Sequence, residues 1–178
     1  MSAAAKISAV LITREKSWPK EARIDFQFAE HTVLTECPYV AKRFELAANA
    51  AYETVYVQDD DVEIDIARLL RCYNGRITNA IHAGHAYGYQ NTGVTLIGFG
   101  CFFPRVMAER FMNDEGKWRA KFGDELFEKE ADRIFTFVNR PHNNVSMPYR
   151  EFRRTGCMSM RPDHYKIRDR IIRELRDM

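Results

Sequence analysis

The chain has 178 residues, 46% hydrophobic and 29% charged, a balance that suits one folded domain with its own core and excludes a disordered protein. Lys and Arg number 27 against 25 Asp and Glu, so the net charge is only +2, which excludes a strongly basic nucleic-acid coat protein. The charge is uneven: residues 150–178 hold nine basic against five acidic side chains, and a basic tail of this kind suggests an anionic ligand or surface near the C-terminus.

Residues 7–13 (ISAVLIT) read as a buried strand, followed by a polar loop through Trp18 and Pro19. A second strand is expected at 32–35, stopped by Cys37-Pro38, and an alanine-rich helix at 41–52. Residues 54–57 (TVYV) form a third strand that runs into Gln58-Asp59-Asp60-Asp61. A helix follows at 64–73, with Ile66, Leu69, Leu70 and Tyr73 on one face. Strands are expected at 77–81 and around 95–97, helices at 105–112 and 124–131, and a late strand at 134–138. Residues 139–162 read as irregular, and 163–176 as a basic amphipathic helix with Asp163 as its N-cap. Alternating strands and helices imply a single α/β domain over residues 1–178.

The four cysteines form no CxxC pair or zinc pattern and read as idle thiols of a reducing compartment. The first residues lack a basic leader, and the uncharged stretch 77–104 is too rich in Gly, Asn and His for a membrane span. These features predict a cytoplasmic protein with no membrane partner.

Asp59-Asp60-Asp61 is the most informative feature. At a strand's end, carboxylates at i and i+2 point the same way, and three adjacent carboxylates repel unless a cation or solvent relieves them. Their hard oxygens suit Mg²⁺ or Mn²⁺. The apolar Val55-Tyr56-Val57 before the triplet and Val62-Glu63-Ile64 after it place it at a strand-to-helix junction, where α/β sheets bind ligands. The competing reading is a solvated acidic turn.

An N-terminal strand, an alanine-rich helix with Arg43 and Asn49, then VYVQDDDVEID, together resemble the nucleotide-sugar-binding half of a GT-A glycosyltransferase, whose DxD motif the triplet matches. LIGFGCFFPR (96–105) is similar to the acceptor-side segment of exostosin-like transferases, and GDELFEKEADRIFTFV (123–138) to the acidic helix that follows it. The resemblance implies a Rossmann-like mixed sheet flanked by helices in one compact domain. It implies a metal-dependent transfer of a sugar, from a donor linked to UDP by default, to a hydroxyl acceptor. A hydroxymethylated base in phage DNA, a glycan and a small molecule are the acceptors considered, the first placing the enzyme in a host cytoplasm.

By the same resemblance, Asp59 and Asp61 bind the Mn²⁺ or Mg²⁺, and His164 completes its shell. Thr13, Arg14, Arg43, Asp59, Asp60 and Arg161 face the donor. Asp124 is the expected base or orienting acid, with Asp132 as runner-up. Gly98, Gly100, Trp118 and Glu125 line the acceptor side, Trp118 as a stacking surface in a polar loop. Simpler readings stand beside these: a helix cap for Asp124, an exposed helix charge for Arg43, strand-end turns for the glycines. His82 and His85 have HxxH spacing but no acidic third ligand nearby, and are not taken as a metal pair. Two other classes compete. A nucleotidyltransferase would carry a glycine-rich phosphate loop after the first strand, which LITREKSWPKEA lacks. A non-catalytic nucleic-acid-binding module built on the basic tail would leave the triplet unexplained.

Overall fold

The computed structural model describes residues 5–20, 24–37, 39–81, 94–152 and 164–177. In chain order these form β1 (Ala5–Ile12), β2 (Phe28–Leu34), α1 (Lys42–Ala48), β3 (Thr54–Gln58), β4 (Val62–Ile64), α2 (Ile66–Arg71), β5 (Thr78–Ile81), a 3-10 turn at Ile97–Phe99, and β6 (Cys101–Pro104). Then come α3 (Arg105–Asn113), α4 (Glu115–Phe122), α5 (Asp124–Val138), β7 (Asn143–Ser146), β8 (Tyr149–Glu151) and α6 (His164–Arg176). Six strands make one mixed sheet in the order β2-β1-β3-β6-β5-β7, and β4 pairs with β8 in a separate two-stranded ribbon. The α/β domain with a mixed sheet flanked by helices is therefore present.

Period-2 alternation sorts the sheet into two faces. Val10, Val55, Val57, Ile77, Cys101 and Phe103 meet α1, α3, α4, α5 and α6 on one face, where Phe135 stacks on Phe44 at 4.4 Å between ring centroids. Ala9, Tyr56, Ala80 and Phe102 point to the other face and pack with Ile66 and Leu69 of α2. No helix among the described residues is long and apolar enough to cross a membrane.

Several local expectations are corrected. No strand forms at 95–97, because the Thr95 N–H donates to Thr136 Oγ1 (3.2 Å) and its hydroxyl to Asn144 (3.2 Å), so the next strand starts only at Cys101. Residues 134–138 look β-like in composition but continue α5: Phe127, Ala131, Ile134 and Phe135 recur at helical spacing and are all buried, and tertiary packing overrides propensity. Residues 115–122, read as a loop, form α4, whose Trp118 and Phe122 lie one turn apart and buried. Residues 62–64 form a strand where a helix start was expected, because β8 from the "irregular" stretch supplies a partner.

The topology positions the site. β1 is parallel to β2 and β3, β5 is parallel to β7, and β6 is antiparallel to β3 and β5. The carboxyl ends of five strands and the start of β6 therefore share one edge of the sheet. The chain steps from β1 outward to β2, then back across β1 to β3, so the reversal in strand order falls between the ends of β1 and β3. Crevices at such reversals are where open α/β sheets bind ligands.

Gly100 sits where β6 leaves this edge, with φ +107°, and a Cβ there would lie 2.3 Å from Ile64 Cδ1 and 2.9 Å from the Tyr56 hydroxyl. Gly100→Ala is expected to cost about 1–3 kcal/mol, readable as a fall in the denaturation midpoint.

Candidate functional site

Thr13 follows β1, and Asp59–Asp61 follow β3, so the two segments face each other across the reversal in strand order. Thr13 is 3% exposed. Its hydroxyl donates to Asp60 Oδ2 (2.5 Å) and accepts from the Glu15 N–H (3.0 Å). Its polar capacity thus goes into holding Asp60 at the end of β1. Arg14, next in sequence, is exposed.

The triplet is braced on both sides. The Asp59 N–H donates to the Gly98 carbonyl (2.8 Å). Gln58, fully buried, accepts from the Tyr56 hydroxyl (2.5 Å) and donates to the Val62 carbonyl (2.5 Å), which fixes where the chain leaves the turn. Gly98 leaves room for a carboxylate: a Cβ there would fall 1.9 Å from Asp59 Oδ2. The spaces over Gly98 and Gly100, expected to admit an acceptor, are thus filled by the protein's own Asp59, Ile64 and Tyr56.

Arg43 is not an exposed helix charge. It is 1% exposed and forms ion pairs with Asp59 and, at 3.0 Å, with Asp132 of α5. Burial works against its charge, but the two carboxylates outweigh that and hold it ionised. So placed, the guanidinium is turned to Asp59 and Asp132 rather than to a donor. Asp132 is raised above the ordinary carboxylate range by burial, which outweighs the pull of Arg43, while the charge of Asp59 adds to the rise. Its Oδ1 is shut off from solvent with no hydrogen-bond partner among the described residues.

Asp61 carries the strongest signature. Its carboxyl is pushed up to about 7, by burial first and then by the charges of Asp59, Asp60 and Glu151. Glu151 went unnoticed in the sequence. It reaches the triplet because β8 pairs with β4 (Val62 opposite Glu151) and the Phe152 N–H donates to the Asp61 carbonyl at 2.6 Å. Only that long-range pairing marks Glu151, and no local pattern announces it.

Other expected site residues lie elsewhere. Asp124 is 77% exposed and joins Glu115 and Glu128 around Arg119, at 3.0, 2.7 and 3.3 Å respectively. It lies eight positions before Asp132, with a kink in the helix at Glu130 between them. Its position serves the start of α5, where a carboxylate favours the helix dipole. Glu125 is 81% exposed and pairs with Lys129. Trp118 is 3% exposed and stacks on Phe111, so no free ring face remains for a sugar. His164 opens α6, but its ring lies outside the described residues, as do Arg161 and the 82–93 segment with His82 and His85.

Among the described residues no three His, Cys, Asp or Glu side chains converge on a ready-made cation cage. Asp59 and Asp60 are turned to different partners, Arg43 and Thr13. The donor set nonetheless suits a hard divalent ion. It is all oxygen, and Asp61, raised chiefly by burial, also feels the charges of Asp59, Asp60 and Glu151. Mg²⁺ and ions like it are commonly held by one or two carboxylates, their own waters and substrate phosphates rather than by an all-protein cage. No family model matches the chain, and no curated protein matches it significantly.

Proposed function

We propose that the chain is a metal-dependent glycosyltransferase that moves a sugar from a nucleoside-diphosphate sugar, UDP-linked by preference, to a hydroxyl acceptor. The single observation that supports this most is the placement of three consecutive carboxylates, Asp59–Asp61, at the carboxyl end of β3 beside the reversal in strand order. On this reading Asp61 and the outer oxygen of Asp59 hold Mn²⁺ or Mg²⁺, directly or through water. Glu151 adds charge from β8, and Thr13 keeps Asp60 at the donor side. The ion supplies charge stabilisation to the departing diphosphate when bound. The chain's own residues fix the carboxylates before substrate arrives, so no reorganisation is needed as charge develops. Asp124 takes no part, being exposed and tied to Arg119 at the start of α5.

The test is a panel of nucleotide-sugars with Mn²⁺ or Mg²⁺, scored for donor hydrolysis and for thermal stabilisation. One donor is expected to be hydrolysed in the presence of metal, with activity abolished by EDTA and restored by added Mn²⁺. Donor binding that is indifferent to metal contradicts the reading. For the acceptor, hydroxymethylated DNA is offered across a salt series. Transfer that falls steeply with salt supports DNA, since phosphate contacts release counterions, and transfer only to small hydroxyl compounds rejects it.

A further inference from the structure

We propose that Arg43 and Asp132 form a buried positioning unit for Asp59, so that the affinity of the acidic edge for a divalent cation is set partly from α5. The inference rests on the metal reading above. The unit joins three elements: Arg43 on α1, Asp132 on α5 and Asp59 at the end of β3. Arg43 Nη1 donates to Asp132 Oδ2 at 3.0 Å, and Nη2 donates to Asp59 Oδ1. Two nitrogens of one rigid planar group thus fix the two carboxylates relative to each other, which a lysine could not do. Arg43 is 1% exposed, and both its Nε and Asp132 Oδ1 are buried without partners among the described residues. The inner end of the unit is therefore closed. Asp59, with its side chain 45% exposed, reaches the edge, whereas that of Asp132 is 20% exposed.

Gly98 adds the final constraint. Its φ lies outside the left-handed region, so glycine is needed there for space rather than for conformation. The missing Cβ is what lets Asp59 place one oxygen over Gly98 while the other meets Arg43. Asp132 in turn neutralises Arg43. Without its charge, the guanidinium would act on Asp59 alone and oppose an incoming cation. Because Asp132 Oδ1 is closed off and its Oδ2 accepts from Arg43 Nη1, the effect of Asp132 on the edge runs through Arg43.

The experiment measures Mn²⁺ affinity by electron paramagnetic resonance of free Mn²⁺ at pH 7.5, with near-UV circular dichroism to confirm folding. Asp132→Asn is expected to weaken Mn²⁺ binding about tenfold, the effect of losing a partner behind a metal ligand. Arg43→Lys keeps the charge and is expected to weaken it similarly, whereas Asp132→Glu restores most of the affinity. In the Arg43→Lys background, Asp132→Asn is expected to add little, since both changes break one unit. Gly98→Ala displaces Asp59 from Arg43 and is expected to weaken binding with some fall in melting temperature. Unaltered affinity in folded Asp132→Asn overturns the proposal. Full additivity also overturns it, because Asp132 would then act independently of Arg43. If Asp132→Asn does not fold, Arg43→Lys decides, and unaltered affinity there overturns it. A wild-type protein that binds no Mn²⁺ overturns the metal reading itself and this inference with it, an outcome distinct from the others.

Discussion

Arg43→Met is expected to destabilise the protein by about 3–5 kcal/mol, the cost of leaving a buried charge without its partner. For a domain of this size that corresponds to a fall of about 8–13 °C in melting temperature. The argument is one of desolvation. Asp132 is one-fifth exposed and its Oδ1 is closed to water, so it relies on the guanidinium. Methionine fills similar volume but offers no donor. Adding Asp132→Leu to Arg43→Met is expected to recover much of the loss, because an apolar pair of matched volume replaces a buried ion pair at little cost. Differential scanning calorimetry of the three proteins checks this. A change below about 1 kcal/mol in Arg43→Met, the size of a surface pair, would contradict the buried arrangement.

Asp61→Asn is expected to separate stability from function. Metal-stimulated donor hydrolysis should fall by at least about 100-fold, since a ligand to the charge-stabilising ion is lost. Stability without metal should rise at neutral pH. The sign follows from the carboxyl being raised to about 7 in the folded state, against 3.8 as its ordinary value. The folded protein then binds more protons than the unfolded chain between these values, so stability falls as pH rises from about 4 to 7 and levels off above. Glu130, buried on α5 and likewise pushed up to about 7, chiefly by burial against the opposing pull of Arg133, contributes a slope of the same sign. His31 and His142, both lowered chiefly by burial, contribute a slope of the opposite sign that the two proteins share, so denaturation at pH 5.5 and 7.5 should show Asp61→Asn losing less, or gaining more, than the wild type as pH rises. Added Mn²⁺ should raise wild-type stability more at pH 7.5 than at 5.5, because proton and cation compete for Asp61. Identical changes from pH 5.5 to 7.5 in the wild type and Asp61→Asn without metal would contradict this assignment.

The backbone frame was largely legible, because burial on both faces leaves near-continuous apolar runs such as Val10-Leu11-Ile12 and Val55-Tyr56-Val57. The triplet was legible as an acidic cluster at a strand's end for the same reason. Elements that depend on distant partners were not. β4 and β8 are three residues each and exist because they pair with each other. The Ile134–Val138 stretch has strand composition, and only its spacing with Phe127 and Ala131 betrays a helix. The same limit applies to the site. Arg43 was singled out as a nucleotide contact, yet its two carboxylates lie on β3's end and α5. Asp124 outranked Asp132 because it opens a helix, where acids are conspicuous. Burial beside Arg43, which favours Asp132, is a property of packing and leaves no local trace.

The most direct test of the metal–diphosphate claim is a titration of Mn²⁺ into wild-type protein, with and without UDP, followed by electron paramagnetic resonance. The account predicts that Mn²⁺ binds to one site, that UDP tightens its binding, and that Asp61→Asn removes the site. Mn²⁺ and UDP binding independently of each other, or Mn²⁺ binding unchanged in Asp61→Asn, would contradict it.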